Sequence, residues 1–189
     1  PLAVGDAHYR FTDKAASVDT VPYGSYKRDL FDQIGLFDET LLANEDYELN
    51  TRILQSGGKI WLDPKIRCTY FARSDLLALT KQYYGYGYWK VQMLKRYPET
   101  LRWRQALPPA FVLGLLVTLL VGIFWKPSLY LFAAVLGLYL LILLAVGIHM
   151  ANKKRDILML IGIPLAIFTM HFSWGSGFIA GAFNAKKKI

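Results

Sequence analysis

Cysteine and histidine are scarce in this sequence, and their scarcity excludes the classes of small domain that are built around disulfides or a structural metal. The single cysteine, Cys68, cannot form an intramolecular disulfide. No metal-ligand spacing surrounds it, so we expect an inert buried thiol. The three histidines (His8, His149 and His171) are scattered, which indicates no zinc site.

Acidic residues almost disappear after position 104, where only Asp156 carries a carboxylate. Apolar runs at 108–125, 129–148 and 157–183 replace them. At about 1.5 Å per residue, about 20 residues cross a hydrocarbon layer of about 30 Å. A core helix without a polar face rarely exceeds about 14 residues. The runs therefore predict membrane spans, and their C-terminal position excludes a secretory signal peptide.

The net charge of +8 is concentrated where the chain is predicted to meet the membrane. Lysine and arginine in such places bind anionic lipid and mark the cytoplasmic side. We therefore expect membrane lipids as partners, no nucleic acid, and a multi-pass protein of the cell membrane whose residues 1–104 are cytoplasmic. The cations are Lys81, Lys90, Lys95, Arg96, Arg102, Arg104, Lys153, Lys154, Arg155, Lys186, Lys187 and Lys188.

Residues 1–104 alternate between strand and helix patterns and predict an α/β region, whereas residues 105–189 form the predicted transmembrane anchor. Strands are expected at 18–21, 59–62 and 67–71, and helices at 26–34, at 45–56 and at 75–97. The predicted helix N-caps are Ser25, Asn44 and Ser74, and the predicted stops are Gly35, the pair Gly57 and Gly58, and Pro98.

Two adjacent carboxylates, Glu45 and Asp46, open the second predicted helix. The helix dipole alone accounts for them, because it favours negative charge in the first turn by about 0.3–1 kcal/mol. An acidic pair is therefore only a weak indication of a catalytic site. Whether this pair has such a role depends on the sequence around it.

The surrounding sequence reads V-P-Y-G-S at 21–25, I-G-L-F-D-E at 34–39, N-E-D-Y-E-L at 44–49 followed by Arg52, and G-G-K-I at 57–60. It resembles the family 2 glycosyltransferases. These inverting enzymes of the GT-A fold carry such a loop and then an E-D pair that heads a helix. Over residues 18–97 the chain looks most like membrane enzymes of the succinoglycan or exopolysaccharide type. The resemblance implies the C-terminal half of a GT-A-like α/β domain, followed by an all-α transmembrane bundle.

The resemblance also implies roles for individual residues. Asp46 matches the catalytic base, which takes a proton from the acceptor hydroxyl as that oxygen attacks the anomeric carbon. Glu45 is implied as a substrate-binding neighbour that positions the reactants. Arg52 is interpreted as the i,i+4 partner of Glu48 and nothing more.

A segment rich in tyrosine, Q-Y-Y-G-Y-G-Y-W at 82–89, lies where processive synthases of this family carry Q-x-x-R-W. Gln82 is retained, whereas Gly85 and Tyr86 replace the Arg and Trp, which indicates addition of one sugar at a time. Gln82, Tyr86 and Trp89 are the predicted substrate-binding residues of this segment. The aromatic residues also fit a helix at the lipid headgroup level, and a lipid-linked saccharide acceptor would enter at that height, so both interpretations hold together.

Residues 1–104 contain neither a glycine-rich phosphate loop nor an Asp-x-Asp pair. In the family, the strands that bind the nucleotide sugar and the Asp-x-Asp that holds a divalent metal (Mg or Mn) would precede Pro1. About 100 residues is small for a domain that binds both donor and acceptor. We therefore expect a C-terminal fragment that is inactive by itself and holds no metal.

The third apolar run poses a problem of topology. Three crossings would place Lys186–Lys188 outside, so the run is interpreted as a broken or re-entrant pair around Pro164. Ser173, Gly177 and Gly181 form a small-xxx-small face, for which packing against the other spans is favoured over a dimer interface. His171 fits a functional role or a hydrogen-bonded packing role equally.

Two alternatives to an enzyme follow from the same sequence. The chain could be a non-catalytic membrane remnant that keeps the acceptor half only. It could also be a scaffolding subunit whose basic interfacial helix binds anionic lipid.

Overall fold

A computed structural model describes residues 13–21, 23–67 and 69–184, so Pro22, Cys68 and Lys186–Lys188 lie outside the described residues. An α/β part precedes three long helices, which confirms the predicted fold class. The elements are β1 (Ala16–Val18), α1 (Arg28–Ile34), α2 (Glu45–Gln55), β2 (Ile60–Leu62), α3 (Leu76–Leu94), a 3₁₀ turn (Pro98–Thr100), α4 (Trp103–Val121), α5 (Pro127–Lys154) and α6 (Met159–Phe183).

The α/β part is organised around an antiparallel pair of short strands. Val18 of β1 pairs with Ile60 of β2, and Ser17 pairs with Trp61. Ile60 packs with Leu49 and Ile53 of α2 in the small core of this part. The pleat sends alternate side chains to opposite faces, so Ile60 is buried while Trp61 is 64% exposed. One face of the sheet therefore packs against α2.

The strand predictions were partly wrong. The first strand ends at Val18, because the side chain of buried Asn50 binds the segment that follows, donating to Thr20 Oγ1 (2.9 Å) and to the Val21 carbonyl (3.2 Å). Residues 67 and 69–71 form no strand in the described structure. They have no partner strand there, and Phe71 is 86% exposed.

The helix boundaries follow the predictions more closely than their caps do. α1 begins at Arg28, so Ser25 lies too early to be its N-cap. Asn44 precedes α2 as predicted, but it adopts a left-handed conformation (φ 66°) and makes no capping hydrogen bond. Asp75, one residue after Ser74, caps α3 by accepting from the Ala78 N–H (2.7 Å). Gly35 (φ 79°) follows α1 and Gly57 (φ 81°) follows α2, both as expected for glycine stops.

Three helices, α4, α5 and α6, are long and apolar enough to cross a membrane. α4 starts at Trp103, so the predicted domain boundary after Arg104 falls within its first turn. Pro109 of α4 has no N–H to donate to the Gln105 carbonyl one turn earlier. The Trp174 indole N–H of α6 donates to that carbonyl instead, at 3.1 Å. An interhelical bond thus satisfies the backbone group that the proline frees.

α6 corrects the prediction of a broken or re-entrant third span. It runs as one helix from Met159 to Phe183 and contains Pro164. Pro164 has no N–H to donate to the Leu160 carbonyl one turn earlier. That carbonyl lies against Gly147 of α5, where an added Cβ would be 2.6 Å from the carbonyl oxygen. Close packing of α5 therefore covers this part of α6.

The C-terminal half of α6 packs against α3, and this is the largest contact between helices of the described structure. A Cβ at Gly177 would lie 2.1 Å from the Tyr84 carbonyl, and one at Gly87 would lie 2.2 Å from the Trp174 carbonyl. The Gln92 amide also donates to the Gly181 carbonyl (3.3 Å). The small-residue face thus packs internally, but its partner is α3 and not another span.

His171 lies inside the helical bundle in a packing arrangement. Its Nδ1 is 3.0 Å from Tyr139 Oη of α5. Tyr139 packs against Phe111 of α4 with ring centroids 4.7 Å apart, and Phe168 stacks on Phe172 at 4.2 Å. Aromatic contacts of this kind contribute beyond their buried area. The three apolar helices therefore share an aromatic cluster in which His171 takes part.

We predict that Gly177→Ala separates α3 from α6 and lowers the free energy of unfolding by about 1–3 kcal/mol, because the added methyl overlaps a backbone carbonyl. Unfolding measured in lipid bicelles checks this. Gly162→Ala in the same helix is the matched control, since nothing lies within 4 Å of a Cβ there, and it should be neutral or slightly stabilising. Equal effects of the two variants would contradict the packing described.

Candidate functional site

Asp46 lies in the first turn of α2, half-buried. Its Oδ1 accepts from the Tyr47 backbone N–H at 2.7 Å, which fixes the direction of the carboxylate. Burial raises the pKa of Asp46 most strongly; the Tyr47 hydrogen bond opposes this shift, and the charge of Glu45 adds to it. A carboxylate that is held in place and made more basic can accept a proton from a bound hydroxyl.

The neighbours of Asp46 at the start of α2 connect it to α3. Glu45 is exposed, as a group that contacts an incoming substrate must be. The Asn44 side-chain amide reaches the Tyr86 carbonyl at 3.5 Å, at the limit of a hydrogen bond. The start of α2 therefore lies beside the middle of α3.

Two of the predicted substrate-binding residues of α3 are hydrogen-bonded to each other. The Gln82 amide donates to Tyr86 Oη (2.7 Å) and to Tyr70 Oη (3.1 Å). Trp89 is seven residues from Gln82, which places it on the same side of the helix, and its ring meets the Tyr88 ring edge-on at 5.5 Å. Asn44 thus brings the start of α2 to Tyr86 and, through Tyr86, to Gln82, whereas no described contact joins Asp46 or Trp89 to this pair.

Arg52 does more than the sequence analysis assigned to it. It forms the expected pair with Glu48, as a two-pronged contact of 2.7 and 2.8 Å. Its guanidinium also donates to the carbonyls of Ile34, Gly35 (3.2 Å) and Leu36 (2.7 Å) in the loop after α1. The interpretation as a helix pair and nothing more is therefore wrong, since the planar fork suits several acceptors at once.

Glu48 is the centre of this network. It is 2% exposed, and Tyr97 Oη donates to it at 3.0 Å in addition to the two bonds from Arg52. The hydrogen bond to Glu48 raises the pKa of Arg52, and burial raises the pKa of Tyr97. A buried carboxylate with these partners holds α2, the 34–36 loop and the end of α3 in one arrangement.

Lys90 is a buried residue of α3 that sequence reasoning assigned to the lipid surface. It is 1% exposed, and its ammonium donates to the Thr100 carbonyl (3.1 Å) and to Thr100 Oγ1 (3.3 Å). The same ammonium lies 4.3 Å from the centre of the Tyr47 ring. Burial, with a smaller contribution from the charge of Arg102, lowers the pKa of Lys90 to about 8.

Lys90 is thus no lipid contact, and its packing ties α3 to Tyr47, the residue next to Asp46. The sequence contains a weak indication of this burial, because Lys90 follows Tyr86 by one helical turn and so lies on the same side of α3. Only the fold shows that Tyr47 and Thr100 close over it.

The described residues bring together no group of three or more histidine, cysteine, aspartate or glutamate side chains that could hold a metal. The divalent metal that the family resemblance implies stays a prediction.

Comparison with known proteins gives two relatives of modest identity. The succinoglycan biosynthesis protein ExoA of Rhizobium meliloti is 27% identical over 159 residues, which cover 84% of this chain and 46% of the relative. The second relative, from Methanococcus voltae, is named dolichyl N-acetyl-alpha-D-glucosaminyl phosphate 3-beta-D-2,3-diacetamido-2,3-dideoxy-beta-D-glucuronosyltransferase. It is 25% identical over 182 residues, covering 96% of this chain and 52% of its own length.

This chain resembles glycosyltransferases of exopolysaccharide synthesis. It spans about half the length of the curated relatives it matches. No protein-family model matches it, and no solved structure gives a significant match. The relatives confirm the resemblance to glycosyltransferases of exopolysaccharide synthesis, while the assignment to family 2 and the roles of single residues stay predictions.

We predict that Lys90→Met changes how the stability of this glycosyltransferase-like chain depends on pH. Between pH 8 and the ordinary lysine value of 10.5 the unfolded chain holds a proton on Lys90 that the folded chain has released. The free energy of unfolding of the natural chain should therefore rise through this window relative to the variant. Chemical unfolding at several pH values measures the difference, and parallel curves for the two proteins would contradict the buried position.

We predict that Arg52→Lys lowers the free energy of unfolding by about 1–3 kcal/mol, because an ammonium cannot reproduce the two-pronged Glu48 contact together with the loop carbonyls. Arg28→Lys is the matched control, since Arg28 is exposed on α1. Denaturant titration of both variants compares them, and a loss of similar size in the control would refute the role given to Arg52.

Proposed function

We propose that this chain is the acceptor-side part of an inverting glycosyltransferase of family 2. The complete protein would move a sugar from a nucleoside-diphosphate sugar to a lipid-linked saccharide acceptor during the synthesis of a cell-surface polysaccharide or an exopolysaccharide. The observation that carries this proposal is the position of Asp46. It is a held, half-buried carboxylate with a raised pKa in the first turn of α2, in a chain that resembles glycosyltransferases.

In the proposed reaction, Asp46 removes the proton of the acceptor hydroxyl as its oxygen forms a bond to the anomeric carbon of the donor sugar. The bond from that carbon to the diphosphate oxygen breaks, and the electron pair leaves with the nucleoside diphosphate. One displacement of this kind inverts the anomeric configuration. The raised pKa of Asp46 brings the base closer to the working pH, where proton transfer is most effective.

Exposed Glu45 and the bonded pair of Gln82 and Tyr86 are the proposed contacts to the acceptor. Glu45 is next to Asp46 in the chain, Asn44 brings the start of α2 to Tyr86, and α3, which carries Gln82 and Tyr86, packs along the apolar helix α6. An acceptor attached to a lipid would thus meet the base close to the membrane. The methanococcal relative supports this acceptor class, because its name specifies a dolichyl phosphate that carries N-acetylglucosamine.

We further propose that the catalytic part faces the cytoplasm. In this topology α4 crosses the membrane outward and α5 crosses back, so Lys153 and Lys154 at the end of α5 lie on the same side as the part before α4. The rule that cations mark the cytoplasmic side then places the part before α4 on that side. A nucleotide-sugar donor is supplied there.

We predict that Asp46→Asn in the full-length protein lowers transfer by about 10²- to 10⁴-fold, because the amide cannot accept the hydroxyl proton. Membrane association should survive, since the apolar helices are unchanged. In the natural enzyme the rate should fall on acidification at a higher pH than for an ordinary aspartate, because the raised pKa protonates the base earlier.

Asp32→Asn on the exposed side of α1 is the matched control and should keep its activity. Sugar transfer is measured with radiolabelled donor and membranes. Undiminished transfer by Asp46→Asn would sink the mechanism and favour the non-catalytic alternatives, a membrane remnant or a scaffolding subunit.

A further inference from the structure

A surface cavity of about 470 Å³, open to solvent, lies between α2, the 3₁₀ turn and the segment that enters α4. Its volume is within the range of small-molecule sites. It occupies a different side of α2 from Asp46, because its lining residues Tyr47, Thr51, Leu54 and Gln55 follow each other at helical spacing. Nothing in the proposed reaction uses it.

Apolar and polar groups alternate around this cavity. Tyr47, Leu54 and Leu101 supply apolar surface, and both leucines are 39% exposed. The Tyr47 ring separates the cavity from Lys90, whose ammonium lies against the ring and is itself buried. An aromatic ring whose position is fixed from behind offers a flat, rigid contact to a ligand.

The polar groups of the cavity are held by one another. The Gln55 amide donates to Glu99 at 2.8 Å, and both side chains are exposed. Arg102 pairs with Asp19, and the nearby Tyr47 side chain contributes most to raising the pKa of Arg102. Carboxylates accept, the guanidinium donates and the amide does both, so together they match hydroxyl groups, which donate and accept.

The charge of the cavity selects among ligands. Asp19 and Glu99 bring two carboxylates against the single guanidinium of Arg102. The guanidinium in the lining is already paired with Asp19, so a nucleoside diphosphate would meet two carboxylates and no uncommitted cation of the lining, whereas a neutral, hydroxyl-rich molecule needs none. Apolar faces combined with fixed polar groups and no net positive charge are what a saccharide needs.

The place of the cavity in the chain points to the source of that saccharide. Arg102 lies directly before α4, the first apolar helix, and Arg104 lies over the Trp103 ring at 5.3 Å. Tryptophan and arginine at the start of a span mark the headgroup level. A saccharide on a membrane lipid is presented at this height, whereas a sugar on a soluble nucleotide is not.

We propose that this cavity, which shares α2 with Asp46 but lies on another side of that helix, binds neutral sugar units of the lipid-linked acceptor. The proposal rests on the proposed function for the identity of the acceptor, but the affinity for saccharide belongs to the cavity itself. It adds a binding subsite to the contacts assigned to Glu45, Gln82 and Tyr86.

The first test is direct binding to the chain in lipid nanodiscs, followed by saturation-transfer NMR. The probes are cellobiose, lactose and N,N′-diacetylchitobiose, with UDP as the anionic contrast. We expect transfer to at least one disaccharide, none to UDP at this cavity, and loss of the disaccharide signal in the double variant Gln55→Ala, Glu99→Ala. Absence of any disaccharide signal from the natural chain, or an equal signal from the variant, would overturn the proposal.

The matched control is the double variant Gln33→Ala, Glu39→Ala, which removes the same two residue types at exposed positions outside the cavity. It should bind as the natural chain does. Because Gln55 and Glu99 are exposed, their removal leaves the core in place, and the helical circular dichroism of both double variants checks this.

The second test uses the full-length protein. The Gln55→Ala, Glu99→Ala variant should raise the KM for the lipid-linked acceptor by about tenfold, with kcat and the donor KM unchanged, since roughly one good hydrogen bond to a hydroxyl is worth that factor. An increase in the donor KM alone would overturn the assignment to the acceptor. If Asp46→Asn leaves transfer intact while disaccharide binding persists, the proposed function fails and the saccharide site stands.

Discussion

The close approach of α3 and α6 is the constraint on which the rest of the structure depends. Gly87 and Gly177 let the two backbones come so near that a single methyl group at either position would overlap a carbonyl oxygen. One side of α3 is thereby fixed against an apolar helix, and the other side is left to meet α2. Every proposed contact to the acceptor on α3 depends on this, because Gln82 and Tyr86 are placed by the helix that carries them.

From that arrangement the site follows through buried polar contacts. Lys90 of α3 packs against the Tyr47 ring, and Glu48 accepts hydrogen bonds from Arg52 and Tyr97. The first turns of α2 are therefore held from two sides. A buried ammonium and a buried carboxylate are costly to remove from water and persist only with specific partners. This rigidity would suit the base role proposed for Asp46, since a general base has to meet its proton at hydrogen-bond distance.

Local patterns predicted much of the fold, and contacts between distant residues account for what they missed. The apolar runs identified all three long helices, and the sequence from Asn44 to Gly57 located α2 almost to the residue. The prediction of a strand at 67–71 was wrong, because a strand forms only beside a partner strand and the described structure has none next to these residues. Asp46, Gln82 and Tyr86 were named from the family resemblance, and their roles stay predictions. The burial of Lys90 and the carbonyl contacts of Arg52 depend on residues 10 and 16–18 positions away, and no local period records them.

The packing of α6 on α3 also sets an order of events during synthesis. Gln92 of α3 reaches Gly181 of α6 across 89 positions of chain, so the ribosome must add the whole bundle before this contact can form. Until then α3 has only its α2 side covered, and its glycine side is open to lipid or to a chaperone. Loss of the last helix to an early stop would therefore leave a chain that reaches the membrane through α4 and α5 but lacks the helix against which α3 packs.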